Sequence, residues 1–261
     1  MTDSLLTFVH MSDTHLPADS QTTFDGFRNA FTTTAAVVDA INALEFQIQF
    51  VLHTGDVGND PSDALSYAQA QEALSAIRAP LHLIPGNHDV PEWMYSAFGR
   101  PIAPGYFATV ANGVRVVCLN SNVRNVGHGT LGPEQLAWLG EQLAMTPDMP
   151  VVVALHHHPF PLGAPVMDSL VLSDGEALHI LLKNSTAHIS CVLFGHIHET
   201  VVYVRDGITY ASVQSAWYQL QTWPGLGEFY RDPVQTAGFN VVSIMPDGMA
   251  IIRVFRVPLE P

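Results

Sequence analysis

Apolar residues fall along this chain in two alternating rhythms. Short β-branched runs at Leu5–Met11, Ile48–His53 and Leu81–Ile84 read as strands. Between them, apolar residues recur at three- and four-residue steps. Phe24, Phe27, Phe31, Ala35, Val38 and Ile41 form one such helical stripe. Tyr67, Ala70, Leu74 and Ile77 form a second, opened by Asp60-Pro61 as N-cap and first-turn proline. This β-α-β-α-β order predicts parallel strands joined by crossover helices.

The middle changes character. Tyr106–Val110 and Val114–Leu119 flank Asn112-Gly113, the pair preferred in a two-residue hairpin turn. A helix over Pro133–Leu143, a strand at Val151–Leu155, a helix over Glu176–Leu182 and a strand at Ile189–Phe194 follow. Two more hairpins turn at Asp206-Gly207 and Asp247-Gly248, pairing Val201–Val204 with Ile208–Val213 and Val241–Met245 with Met249–Val257. Only 215–238 resists assignment, being irregular and aromatic (Trp217, Tyr218, Trp223, Phe229, Tyr230). The simplest account is one α/β domain over 1–261 with two sheets. Its core is 5–213, and 239–257 is a terminal hairpin. The segment 215–238 is expected to cover the site, make a subunit contact or merely pack.

Composition narrows the function. Of 261 residues only 13% are charged, about half the usual share of roughly 25%, and 48% are hydrophobic, so general disorder is excluded. The net charge is −14, and ten Lys plus Arg cannot build a basic footprint, so no nucleic-acid partner is expected. No run approaches the ~20 apolar residues of a membrane span, and the first residues lack a basic signal-peptide segment. A cytoplasmic protein without a membrane partner is the expectation, and the sparse charge leaves a homo-oligomer open. Cys118 and Cys191 sit in apolar runs and read as buried reduced thiols. Thirteen histidines outnumber the ten Lys plus Arg, which turns attention to metal ligation.

Histidines and carboxylates cluster just past the expected strands. Ser12-Asp13-Thr14-His15 follows the first, Gly55-Asp56 the second and Gly86-Asn87-His88-Asp89 the third. His156-His157-His158 follows Val151–Leu155, and Gly195-His196-Ile197-His198 follows Ile189–Phe194. In an α/β sheet such ends share one edge, where ligands bind. Asp-x-His and His-x-His would put alternate residues on one side of an extended chain, with glycines 55, 86 and 195 allowing sharp turns. Oxygen and imidazole donors without thiolate suit Zn, Mn or Fe. Asp13, His15, Asp56, Asn87, His156, His196 and His198 are too many for one catalytic metal with an open position. They fit two divalent or trivalent ions if Asp56 bridges, one ion taking Asp13, His15 and His198, the other Asn87, His156 and His196.

The ordered set D-x-H, GD, GNHD, H and GHIH resembles the calcineurin-like metallophosphoesterase superfamily. That resemblance implies a four-layer αββα sandwich of two mixed β-sheets flanked by helices, and agrees with the ligand division above. HMSDTH, LIPGNHD, LHHHPFPLG with Met167-Asp168, and FGHIH are similar to the bacterial class III cyclic-nucleotide and glycerophosphodiester phosphodiesterases. Many relatives carry a second Asp three residues after the bridging Asp, where this chain has Asn59. That acid orients the GNHD histidine in the wider superfamily, and the glycerophosphodiesterase-like branch tends to carry Asn.

The expected reaction is hydrolysis of a small-molecule phosphodiester, a 3′,5′-cyclic nucleotide or a glycerophosphodiester, by metal-activated hydroxide. His88, beside ligand Asn87, would protonate the leaving oxygen. A phosphomonoesterase or pyrophosphohydrolase on the same core is the enzymatic alternative, and a metal-bound interaction scaffold is an alternative of another class. Among the other histidines, His10, His53 and His82 read as core or sheet-face residues, His179 and His188 as surface residues, and His128 as part of a turn. His157 reads as a residue supporting the ligands, and His158 is given no role.

Overall fold

The computed structural model describes residues 4–24, 26–145, 148–232 and 236–259. Positions 233–235 of the aromatic segment therefore lie outside the described residues. The first half runs β1 (Leu6–Met11), α1 (Ala30–Asn42), β2 (Val51–His53), α2 (Leu65–Leu74), β3 (Leu81–Leu83) and α3 (Pro91–Ala97). It continues with β4 (Phe107–Ala111), β5 (Val114–Cys118), α4 (Gly132–Ala144), β6 (Pro150–Ala154), α5 (Pro165–Asp168), α6 (Gly175–Lys183) and β7 (His188–Phe194). The tail is β8 (Val202–Arg205), β9 (Ile208–Ser212), β10 (Leu220–Gln221), β11 (Tyr230–Arg231), β12 (Ala237–Ile244) and β13 (Ala250–Val257).

Two mixed sheets result, in strand orders β13-β12-β1-β2-β3 and β4-β5-β6-β7-β9-β8, with β10-β11 a separate ribbon. β1, β2 and β3 are parallel, as are β5, β6, β7 and β9. Alternation along the strands explains the layering. Leu6 and Phe8 of β1, Val116 and Cys118 of β5, Cys191 and Leu193 of β7 and Val242 and Ile244 of β12 share one core between the sheets. The intervening residues Val9 and Met11 face Val37, Ile41, Tyr67 and Leu74 of α1 and α2. On the far side Val151, Val153, Val192 and Phe194 meet Leu139, Leu143, Leu178 and Leu182 of α4 and α6. Helix, sheet, sheet and helix are thus four layers, and strands buried on both faces read as continuous apolar runs. Both cysteines are free and buried, and burial pushes the Cys191 thiol up to about 12.

The hairpin turns follow their residues: Asn112-Gly113 and Asp206-Gly207 take positive φ at both positions. Three expectations are corrected. Phe24 and Phe27 precede α1 rather than open it; their rings pack on Trp217, 5.4 and 5.3 Å away, so burial against another segment mimics the helical period. Asp60 caps a turn at Ser62 through its amide and hydroxyl, and α2 begins only at Leu65. His179 is buried, its ring nitrogens within 2.8 Å of the Tyr210 hydroxyl and 3.0 Å of the Asp206 carboxylate. Among the described residues no helix is long and apolar enough to cross a membrane.

Candidate metal centre

The loops after β1, β2, β3, β6 and β7 meet at one edge of the sandwich. Main-chain hydrogen bonds lace them together: Asp13 N–H donates to Gly55 O, His15 N–H to Asp56 O, and Gly195 N–H to His156 O, at 2.9, 2.9 and 3.1 Å. The donors are not alternate residues of an extended chain, as their spacing suggests. Asp13, His15, Asp56, His196 and His198 all have positive φ, from 44° to 72°. Left-handed backbone is uncommon for non-glycine residues and costs energy that the surroundings must offset. Glycine at 86 is required by proximity rather than by φ, since a Cβ there would overlap Asp56 Oδ1.

Two donor sets form around Asp56. Asp13, His15, Asp56 and His198 place one donor atom each within 4.8 Å of one another. Asp56 Oδ2 is 3.5 Å from His15 Nε2 and 3.4 Å from His156 Nε2. On the second side, His156 Nε2 lies 3.0 Å from Asn87 Oδ1 and 3.2 Å from His196 Nδ1. His157 also brings a nitrogen near His156 and His196. Its ring is engaged elsewhere, by the Ser121 hydroxyl at 2.7 Å and Gly127 O at 3.2 Å.

The outer nitrogens fix the rings. His156 Nδ1 donates to Thr54 O at 2.7 Å and His198 Nδ1 to Tyr218 O at 2.9 Å, so Nε2 of each turns inward. His15 Nε2 and His198 Nε2 are 3.0 Å apart, and a cation satisfies such facing lone pairs. Electrostatics agree with this fit. Burial alone would raise both carboxyls, yet the facing imidazoles, His198 foremost for Asp13 and His156 for Asp56, prevail. Asp13 is held at about 2 and Asp56 well below the usual carboxylate range. Burial holds His15 at about 3 and His196 far below its ordinary value, which favours the neutral rings that metal ligation would require. His156 behaves oppositely: burial opposes its charge, but Asp56 reverses this and pushes it up to about 9. The centre thus draws positive charge to Nε2 of His156, between the two sets.

His88 touches this group without belonging to it. Its main-chain N–H donates to Asp56 Oδ1 at 2.8 Å, and its ring packs edge-on against His15. Asp89, whose role the sequence pattern does not reveal, accepts from the amides of Val57, Gly58 and Gly86, joining the loops after β2 and β3. Its only sequence signal is its place at the end of GNHD. His158 is buried, its ring stacked on His196. His10 and His53 are buried between loops and strands beside Thr54 and Thr14, His82 packs on Phe50 and Phe107, and His128 and His188 are exposed.

The centre floors a cleft of about 350 Å³, walled by Phe27, Met167, Leu170, Tyr218, Phe229 and Arg231. Two stacked mixed sheets carrying such a centre define a class, and residues 6–200 match the model of the calcineurin-like phosphoesterase family. The chain belongs to that family. It is 30% identical over 249 residues to the 3′,5′-cyclic adenosine monophosphate phosphodiesterase CpdA of Escherichia coli (strain K12), covering 95% of this chain and 88% of that protein. It is 30% identical over 223 residues to the glycerophosphodiester phosphodiesterase GpdQ of Enterobacter lignolyticus (strain SCF1), covering 81% and 77%. In fold it is similar to a dimetal phosphatase from Danio rerio, with a TM-score of 0.72 over 99% of this chain and 98% of that one at 15% identity.

Proposed function

We propose that this protein is a dinuclear metal phosphodiesterase that hydrolyses a small diester, a 3′,5′-cyclic nucleotide or a glycerophosphodiester. The observation that carries the reading is the place of Asp56 Oδ2, 3.5 Å from one imidazole set and 3.4 Å from the other. Asp13, His15, Asp56 and His198 would hold one cation, and Asp56, Asn87, His156 and His196 the second. When bound, such a pair supplies Lewis acidity toward the phosphoryl group and a hydroxide nucleophile from water at neutral pH.

The chain's own residues do the rest. Two carboxylates, Asp13 and Asp56, leave a pair of divalent ions with a surplus of positive charge for a phosphodiester anion. Thr54 and Tyr218 carbonyls hold the His156 and His198 rings in the tautomer that presents Nε2. His88 transfers a proton from Nε2 to the departing alkoxide, its Nδ1 being occupied by Asn59 O at 2.8 Å. Desolvation lowers the His88 pKa, but the Asp56 carboxylate and the Asn59 carbonyl outweigh it, and the net shift is upward. A raised pKa suits an acid that must hold its proton until the bond breaks.

The test is turnover of cyclic AMP, glycerophosphoethanolamine and bis(p-nitrophenyl) phosphate against p-nitrophenyl phosphate, with Mn(II) and after chelation. Diester turnover that vanishes with chelation supports the reading. Preference for the monoester would replace it with a phosphomonoesterase, and full turnover by metal-free protein would remove the dinuclear mechanism.

A further inference from the structure

Arg231 fastens the β10-β11 ribbon to the loop before α1. Arg231 pairs with Leu220 in the ribbon, and its Nη1 donates to Gly26 O at 2.5 Å. Its guanidinium lies over the Phe27 ring, 4.4 Å from the centroid. Gly26 has φ +72°, a backbone state that favours glycine, and a Cβ there would sit 2.8 Å from Arg231 Nη2, so a larger residue would push the guanidinium aside. Tyr218, Leu220, Phe229 and Arg231, from a stretch with no pattern in the sequence, thereby close one wall of the cleft together with the loop before α1.

The chemistry of that wall is selective. Phe27, Tyr218 and Phe229 line it with aromatic surface, and Met167, Leu170 and Leu220 add aliphatic surface. Phe229 is 59% exposed and stacks on no other ring among the described residues. Arg231 is the one Lys or Arg among the described lining residues, and the lining's one carboxylate, Asp56, belongs to the metal centre. An ammonium headgroup entering here would meet a fixed positive charge and no free carboxylate. A flat heteroaromatic ring would find aromatic faces and a guanidinium plane, the surfaces on which nucleobases stack.

We infer that Phe229 and Arg231, braced by Phe27, are specificity-determining residues that grip a nucleobase on the diester and disfavour cationic alcohol headgroups. The inference rests on the diesterase reading above and selects between its two substrate classes.

The experiment uses the full chain loaded with Mn(II), with Phe229→Ala, Arg231→Ala and Arg231→Lys beside wild type. KM and kcat are measured on cyclic AMP and glycerophosphoethanolamine, and inhibition constants for AMP and inorganic phosphate. Losing a stacking surface should raise KM for cyclic AMP about tenfold more than KM for glycerophosphoethanolamine. Arg231→Ala should narrow the preference further by lowering KM for the ammonium substrate, whereas Arg231→Lys should not. In wild type AMP should inhibit more tightly than phosphate, and Phe229→Ala should close that gap. Equal KM changes on both diesters, a wild-type preference for glycerophosphoethanolamine, or AMP no tighter than phosphate would each overturn the inference. If wild type hydrolysed neither diester yet bound AMP more tightly than phosphate, the diesterase reading would fall and the nucleobase wall would stand.

Discussion

His88 is tethered by Nδ1 to the main-chain oxygen of Asn59, 2.8 Å away. The sequence draws attention to the Asn59 side chain, because many relatives place a carboxylate there. The tether does not use that side chain. Asn59→Ala should therefore keep the ring in place and cost little, about half a kcal/mol, or roughly twofold in rate. A loss of two orders of magnitude would mean that the side chain positions the ring after all.

Removing the ring itself should be graded by the leaving group. General acid catalysis gives ~10²–10⁴-fold, so His88→Ala should lose about that much on an alkyl diester. A nitrophenolate departs without a proton, and the loss on bis(p-nitrophenyl) phosphate should be far smaller. Metal content, followed by elemental analysis, should stay near that of wild type. Equal losses on both substrates would assign His88 to positioning rather than to proton transfer.

Asp56 lies between two donor sets, whereas His15 belongs to one. Purified protein should carry up to two cations per chain and lose activity on chelation. Asp56→Ala should empty both positions and His15→Ala chiefly one. Elemental analysis after dialysis separates these outcomes, and two full equivalents in Asp56→Ala would refute the bridge.

Steric crowding offers an independent route to the same carboxylate. A methyl group at 86 overlaps Asp56 Oδ1 and the Asp56 main-chain nitrogen, so Gly86→Ala should displace the carboxylate and depress metal content. Gly227, where a methyl group would meet nothing within 4 Å, provides the control: Gly227→Ala should bind metal as wild type does.

Among the buried histidines that make the fold acid-sensitive, His10 and His53 lie outside the two donor sets. Burial holds His10 at about 3 and His53 at about 4, against an ordinary 6.5. Between 6.5 and those lower values the unfolded chain binds protons that the folded chain refuses, so stability falls as pH falls. Each ring contributes a slope of about 1.4 kcal/mol per pH unit in that window. Denaturant midpoints of chelated protein should therefore drop between about pH 7 and about pH 5. His10→Asn should be less stable at neutral pH but show a shallower acid slope. A slope unchanged by that substitution would remove His10 from the account.

Much of this architecture is written in local pattern. β5, β6 and β7 are apolar on both faces because helices cover one side and the other sheet covers the second. Asn112-Gly113 and Asp206-Gly207 announce their turns because few residues tolerate positive φ. What escapes is set at long range. The start of α1 is obscured because Phe24 and Phe27 keep helical spacing while packing on Trp217, far along the chain. α3 (Pro91–Ala97) is too short to show a period, and its one signal is Pro91 at the first position. At the centre, residue types after strands are legible, but the left-handed backbone of Asp13, His15, Asp56, His196 and His198 is not. Asp89 is hidden because three of its partners are the main-chain amides of Val57, Gly58 and Gly86, which leave no mark on composition.

The layering has a mechanical consequence. Asp13, His15, Asp56 and Asn87 follow strands of one sheet, while His156, His196 and His198 follow strands of the other. Each donor set spans the seam. A cation held in either would act as a rivet through both sheets at the end where their loops meet. Loading would raise the melting temperature in proportion to the logarithm of metal concentration. Starvation for metal would loosen the joint along with silencing the chemistry, so that an idle molecule is also a softer one.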